Sequence, residues 1–208
     1  MKIGGFQKVS FIDWDKYISC VVFVQGCNFR CKYCHNPELV YPELFKETID
    51  AYEIFEYLLK RKNLLEAVVI SGGEPTIYGV TLIDFIKEIK KLGYKVKIYT
   101  NASIPEVCEK MIPYIDSISL DIKAPLDEKE KYSNICGIEN IDLEKIKNSI
   151  KLVVESGIEF EIRTTLNCFI NEKDISSIKK FFKDQYNLED FDYKIQNMNK
   201  HFLKTTKE

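Results

Sequence analysis

Long apolar runs are missing from this sequence. Stretches such as Val21–Val24 and Ala67–Ile70 fall far short of the roughly 20 residues a membrane-spanning helix needs. Met1–Ser10 has neither the apolar core nor the cleavage site of an export signal. Charge of one sign is also lacking: 30 Lys and Arg stand against 32 Asp and Glu, for a net charge of -2. A nucleic-acid surface would need a clustered basic excess, so none is expected. No internal repeat, low-complexity tract or linker-like shift in composition divides the chain. These absences lead to the expectation of a cytoplasmic protein with one domain over residues 1–196 and a polar tail over 197–208. Neither membrane nor nucleic acid is an expected partner.

What is present suits a globular domain. The 208 residues are 45% hydrophobic, enough for one real core. Seven cysteines are many for this length, yet their number is odd and their spacing uneven. Cys27, Cys31 and Cys34 are crowded together, while Cys20, Cys108, Cys136 and Cys168 are scattered. In a reducing compartment a tight cysteine cluster points to metal rather than disulfides. The scattered four need no function, because free cysteine packs as a small hydrophobe.

Short β-rich runs alternate with helical patterns along the chain. The strands expected are 18–25, 67–71, 95–100, 117–122, 158–166 and 191–196, and the helices are 48–60, 80–92, 105–111, 143–156 and 173–185. Gly93 and Gly157 read as helix C-terminal glycines and Asp142 as an N-cap. Strand–helix units in series imply a parallel sheet covered by helices. Six strands are too few for a closed eight-stranded barrel, which leaves an open partial barrel or a flat doubly wound sheet. Two polar rows favour the barrel. Ser119, Asp121 and Lys123 share one face by the period of two, and Glu159, Glu161, Arg163 and Thr165 share another. Such rows suit a lumen that holds a polar ligand. The fold class expected is therefore α/β, an open (βα)6 partial TIM barrel with parallel strands.

The three clustered cysteines follow the first expected strand with the spacing C-x3-C-x2-C. One loop can wrap a cubane at this spacing, each thiolate taking one iron. Three ligands leave the fourth iron open. A zinc site using His35 is the other reading of the spacing. Structural zinc favours two separated ligand pairs, and His35 adjoins Cys34 too closely to reach one tetrahedral ion with it.

Further candidates fall at strand ends. Ser71-Gly72-Gly73-Glu74-Pro75 closes the second expected strand, and its two glycines permit close backbone approach to a ligand. The segment is equally an ordinary Gly-Gly turn. Thr100-Asn101, Asp121 with Lys123, and Arg163 end the next three strands, at the mouth where parallel sheets bind ligands. An Arg suits a carboxylate through its rigid donor fork. A plain same-face ion pair explains Asp121 and Lys123 as well.

The run Gly26–Cys34, with Tyr33 before the third cysteine, resembles the radical S-adenosylmethionine (SAM) superfamily. More narrowly, Gly4-Gly5-Phe6-Gln7-Lys8 through Ile12-Asp13, Val24-Gln25-Gly26-Cys27 and Cys34-His35-Asn36-Pro37-Glu38-Leu39 resemble the activating proteins of anaerobic ribonucleoside-triphosphate reductase. The resemblance implies a [4Fe–4S] cluster on Cys27, Cys31 and Cys34 and SAM as cosubstrate. It also implies a flavodoxin or ferredoxin electron donor and a glycyl-radical enzyme as partner. By the same resemblance Gly72, Gly73, Glu74 and Pro75 hold the SAM amino group. Thr100 and Asn101 belong to the SAM-binding set, Asp121 and Lys123 contact its carboxylate and ribose region, Arg163 pairs with an anionic part, Tyr33 and His35 lie near the adenine, and Asp13 meets the target peptide.

The sequence departs from the resemblance twice. Tyr99 stands where an Asp that helps bind a monovalent cation is usual, so no such cation is expected. Trp14-Asp15-Lys16 replaces a Pro-Gly pair after Asp13. No cysteine lies between Cys34 and Gly72, where larger activating enzymes add cluster motifs, so a single cluster is expected. The rival readings are a small radical SAM enzyme acting on a pterin-like molecule or a peptide, and a metal-stabilised module without turnover.

Overall fold

In the computed structural model, described over residues 1–197, seven strands form one open sheet in the order β1 to β7. They are β1 (Ile3–Ser10), β2 (Ser19–Val24), β3 (Ala67–Gly72), β4 (Lys95–Thr100), β5 (Ser117–Asp121), β6 (Glu159–Leu166) and β7 (Tyr193–Asn197). The helices are α1 (Pro37–Val40), α2 (Ala51–Lys60), α3 (Val80–Lys91), α4 (Pro105–Met111), α5 (Lys129–Cys136), α6 (Leu143–Ser156) and α7 (Glu172–Tyr186). Strands β2 to β7 are all parallel, as the strand–helix alternation requires.

Three expectations need correction. The sheet has a seventh strand, β1, which runs antiparallel to β2. Its Gly4-Gly5 pair and mostly solvated side chains hide it from a hydrophobic pattern. The helix expected from residue 48 starts at Ala51, because Ile49 bonds to the carbonyl of Ile3 and the Asp50 side chain caps Tyr52 N at 2.9 Å. Helix α5 was not expected at all. Asn197 belongs to β7, and the rest of the expected tail lies outside the described residues. Gly157 adopts the left-handed cap conformation that its helix end needs, and Asp142 caps Glu144 N. No helix among the described residues is long and apolar enough to cross a membrane.

Period-two alternation sorts the strand residues onto two faces. Val22, Ile70, Ile98, Leu120 and Ile162 point to the outer face and pack against helix residues such as Leu58, Ile86, Ile150 and Phe182. The inner face is apolar only at its start, where Trp14, Val21, Ala67 and Val69 cluster with Tyr17, Phe23 and Tyr99. Trp14 comes from the loop between β1 and β2 and is 2% exposed. Its ring meets Tyr17 edge-on at 4.9 Å and its indole N–H donates to Glu159 at 3.2 Å.

The polar rows expected from the sequence divide in two. At mid-sheet Lys97 and Glu161 form a buried ion pair at 3.0 Å. Glu161 also accepts from Ser119 at 2.6 Å and pairs with Lys194 at 2.8 Å. This part is satisfied internally, as a buried charge must be. Nearer the strand ends Asp121, Lys123, Arg163 and Thr165 turn into a cleft.

Trp14→Ala removes a large ring from a closed site. It is expected to cost about 3–5 kcal/mol, read as a lower denaturant midpoint at unchanged slope. A loss below about 1 kcal/mol would contradict this packing.

Candidate functional site

The loop after β2 carries Cys27, Cys31 and Cys34, all free thiols and all partly buried. Its shape is set by hydrogen bonds to three other regions. At the entrance, Gly26 N donates to Leu39 O at 2.7 Å and Glu74 N donates to Gly26 O at 2.8 Å. A Cβ on Gly73 would lie 1.9 Å from that Gly26 carbonyl, so only glycine fits. Gly72, with φ of +120°, is pressed against the Val24 backbone in the same way. Midway, Asn28 donates to Ser103 and accepts from Asn101, tying the loop to the end of β4. Further on, Arg30 N donates to Cys136 O at 2.8 Å and Lys32 N to Ile135 O at 3.1 Å, tying it to the end of α5. The Arg30 side chain bonds back to the carbonyls of Cys27 and Phe29.

The thiols open into a cleft with about 790 Å³ of free space, counting its open mouth. Tyr33, His35, Gly72, Gly73, Glu74, Thr100, Asn101, Asp121, Lys123 and Arg163 also line it. Two candidates lie elsewhere. Pro75 begins a short 3-10 turn (Pro75–Tyr78) and does not line the cleft. Asp13 does not line it either: its carboxylate accepts from Ser10 Oγ at 2.5 Å, and its carbonyl accepts from Tyr99 at 2.5 Å and Lys97 at 3.2 Å. Phe29, Asn36, Val40 and Gln196 line the cleft without having been singled out from the sequence. Gln196 had a signal, since it follows Lys194 at the period of two on the last strand.

Glu74 is 1% exposed. Its carboxylate accepts from Thr76 N, Thr76 Oγ1, Thr100 Oγ1 and Asn101 N. Those bonds fasten the end of β3 to the end of β4. Burial nonetheless pushes its pKa above the ordinary carboxylate value. Glu74 and Thr100 thus shape the wall of the cleft through bonds to each other.

Across from the cysteines, Lys123 Nζ lies 3.0 Å from Asp121 Oδ2 and Arg163 Nε lies 3.6 Å from Asp121 Oδ1. Burial favours neutral Asp121, but the Lys123 and Arg163 charges outweigh it and hold the carboxyl below its usual range. Burial likewise opposes the Lys123 charge, and Asp121 more than compensates, so the ammonium persists well above its ordinary value. The three charges leave one positive unit facing the cleft. The Arg163 guanidinium sits 4.2 Å over the Tyr99 ring, which fixes its plane. Two polar atoms here are buried without a hydrogen bond, Tyr33 OH and Arg163 Nε. Unpaired buried groups at a cleft are what a polar ligand would satisfy.

The donor set suits an iron–sulfur cluster. Among the described residues no three His, Cys, Asp or Glu side chains converge to share a single ion. A cubane makes no such demand, since each thiolate takes its own iron. Phe29 N donates to Cys27 Sγ at 3.3 Å, a bond of the kind that tunes a cluster. Burial pushes the Cys27 thiol up to about 12, whereas a side-chain hydrogen bond from Cys136 draws Cys31 down to about 7.

A sheet that presents three clustered thiols and a charged cleft at the carboxyl ends of its strands defines a redox cofactor site of the partial-barrel kind. The family model described as Radical SAM superfamily matches residues 21–182, and the chain belongs to that superfamily, whose members use a [4Fe–4S] cluster and SAM. It is 34% identical over 192 residues to a Methanocaldococcus jannaschii protein assigned as a glycyl-radical enzyme activating enzyme, covering 88% of this chain and 75% of that one. The pyruvate formate-lyase-activating enzyme of Clostridium pasteurianum is 31% identical over 166 residues, covering 78% of this chain and 67% of that enzyme. Among solved structures, Streptococcus suis SuiB bound to SAM superposes over 86% of the chain with a TM-score of 0.65 and 21% identity. The chain spans 40% of SuiB's length, and at that identity the likeness concerns the fold.

Gly73→Ala is expected to push the Gly26 carbonyl away and open the cysteine loop. Iron bound per chain after anaerobic reconstitution should fall severalfold while the far-ultraviolet circular dichroism stays unchanged. Full iron loading would contradict the tight approach of the two loops.

Proposed function

We propose that this chain activates a glycyl-radical enzyme, with anaerobic ribonucleoside-triphosphate reductase as its partner. The observation that carries the reading is the meeting of three free thiols with Asp121, Lys123 and Arg163 across one cleft. Likeness to the Methanocaldococcus jannaschii relative supports the activating class. The residue runs from Gly4 to Asp13 and from Val24 to Leu39 support the reductase as partner.

Cys27, Cys31 and Cys34 would hold the cluster through their thiolates, with SAM in the cleft beside it. When bound, the cluster and SAM supply the one-electron radical chemistry that removes a hydrogen atom from a glycine Cα of the partner. A flavodoxin or ferredoxin supplies the electron. The protein's own residues bind, orient and exclude water. Gly72 and Gly73 let the backbone approach the amino group without a side chain between. Lys123, kept cationic by Asp121, faces the negative part of the ligand, and Arg163 offers its donor edge from the Tyr99 platform. Tyr33 and His35 border the adenine, with the Tyr33 hydroxyl gaining a partner it lacks. Phe29 and Val40 keep water from the thiols. Thr100 and Asn101 hold the far wall in place through Glu74.

The partner is tested by mixing the reduced, reconstituted protein with SAM and the reductase under anaerobic conditions. The expected result is the paramagnetic resonance doublet of a glycyl radical on the reductase. Formation of 5′-deoxyadenosine with no such doublet, together with consumption of a small molecule, would favour the small-substrate reading. Within the cleft, Lys123→Met is expected to weaken SAM binding on the order of 10- to 100-fold by calorimetry, the loss of one hydrogen bond to a charged group. Unchanged affinity would remove Lys123 from the ligand site.

A further inference from the structure

Arg163 is held only loosely by its charged neighbour. Its Nε lies 3.6 Å from Asp121 Oδ1, beyond hydrogen-bond length, and is buried without a hydrogen bond. Lys123 meets the same carboxylate at 3.0 Å. A guanidinium on a long stem needs a further contact to keep one orientation, because each free torsion it retains must be ordered when a ligand arrives. The Tyr99 ring supplies that contact, with its centre 4.2 Å from the guanidinium carbon. The two side chains come from β6 and β4, and β5 lies between them. The β5 residue in register with Tyr99 is Ser119, small enough for the Arg163 side chain to cross.

Tyr99 is itself fixed from the other side. Its hydroxyl donates to the Asp13 carbonyl at 2.5 Å, and the same carbonyl accepts from Lys97 at 3.2 Å. Asp13 belongs to the loop between β1 and β2, next to Trp14. The Trp14 ring packs with Val21, Ala67 and Val69, and Tyr99 lies against that cluster. No residue of this loop lines the cleft. We propose that Tyr99 is a positioning residue for Arg163, and that through it the β1–β2 loop sets how tightly the cleft holds an anionic ligand group without touching the ligand. The ring face fixes the plane of the guanidinium, and the hydroxyl fixes the ring to a loop anchored in the core. A guanidinium ordered in advance loses less freedom on binding, which appears as affinity. The inference rests on Arg163 facing the anionic part of SAM, as the proposed function holds.

The test measures SAM affinity by calorimetry in the reconstituted protein, comparing wild type, Tyr99→Phe and Tyr99→Leu, each also made in an Arg163→Met background. Tyr99→Leu is expected to weaken binding about 5- to 30-fold, the range for a desolvated cation–π contact. Tyr99→Phe keeps the ring but loses its tie to Asp13, and is expected to weaken binding by less. With Arg163→Met in place, the same substitutions should change affinity by less than about twofold. A Tyr99→Leu effect of equal size in both backgrounds overturns the proposal, since Tyr99 would then act on the ligand or the fold directly. Wild-type affinity in Tyr99→Leu overturns it as well, and wild-type affinity in Tyr99→Phe removes the loop from it. The pairing is also read without SAM, from the rate at which phenylglyoxal modifies Arg163 in the whole chain, mapped by peptide and compared with exposed Arg61. Tyr99→Leu is expected to raise that rate severalfold, and an unchanged rate overturns the proposal. A raised rate in protein that binds no SAM supports the positioning of Arg163 and counts against the proposed function instead.

Discussion

The Gly26 carbonyl accepts the Glu74 N–H where the cysteine loop meets the β3 turn, and much of the site follows from that contact. A loop of partly buried thiols has no core of its own to hold it. It takes its form from Gly72 and Gly73, which let two backbones meet where side chains would collide. Glu74 then extends the same contact sideways, since its carboxylate fixes Thr100 and the Asn101 backbone. Asn101 in turn reaches Asn28 in the loop. A closed circuit of hydrogen bonds thus joins β3, β4 and the loop, and the end of α5 secures the other side.

The inner face combines two electrostatic regimes. Lys97, Lys194 and Ser119 all bond to Glu161 below the cleft, and Lys194 pairs with Asp15 and Asp192 as well. Asp121, Lys123 and Arg163 above them face the cleft with one positive charge in excess and one guanidinium nitrogen unbonded. The boundary is Tyr99, whose hydroxyl bonds down to the Asp13 carbonyl while its ring supports Arg163. A residue that breaks the family pattern in sequence therefore has a defined place, linking the loop before β2 to the ligand side of the sheet.

Much of this was legible because its signals are local. The cysteine spacing, the glycine pair and the strand-end charges are each a few residues long, and a parallel sheet gathers strand ends at one mouth. The polar rows on β5 and β6 correctly pointed to an inner face, though not to the split between the buried pair and the cleft. Strand β1 escaped because its pairing is with β2 and its glycines carry no pattern. Helix α5 was hidden by its polar composition, although Tyr132, Ile135 and Cys136 fall at helical spacing and Gly137 marks an end. The internal bonding of Glu74 and the fastening of the cysteine loop to the end of α5 depend on residues far apart in the chain, which no local pattern reports. Asp13 was drawn from a resemblance as a contact for the target peptide, and its carboxylate accepts from Ser10 Oγ outside the cleft.

The account stands on SAM binding directly to a cluster that has one iron without a protein ligand. The most direct measurement is the electron paramagnetic resonance spectrum of the dithionite-reduced, reconstituted protein, recorded before and after addition of SAM. A change in the g-values of the reduced cluster on addition is the predicted result. A spectrum of the same cluster that SAM leaves unaltered, in protein with full iron content, would contradict the account.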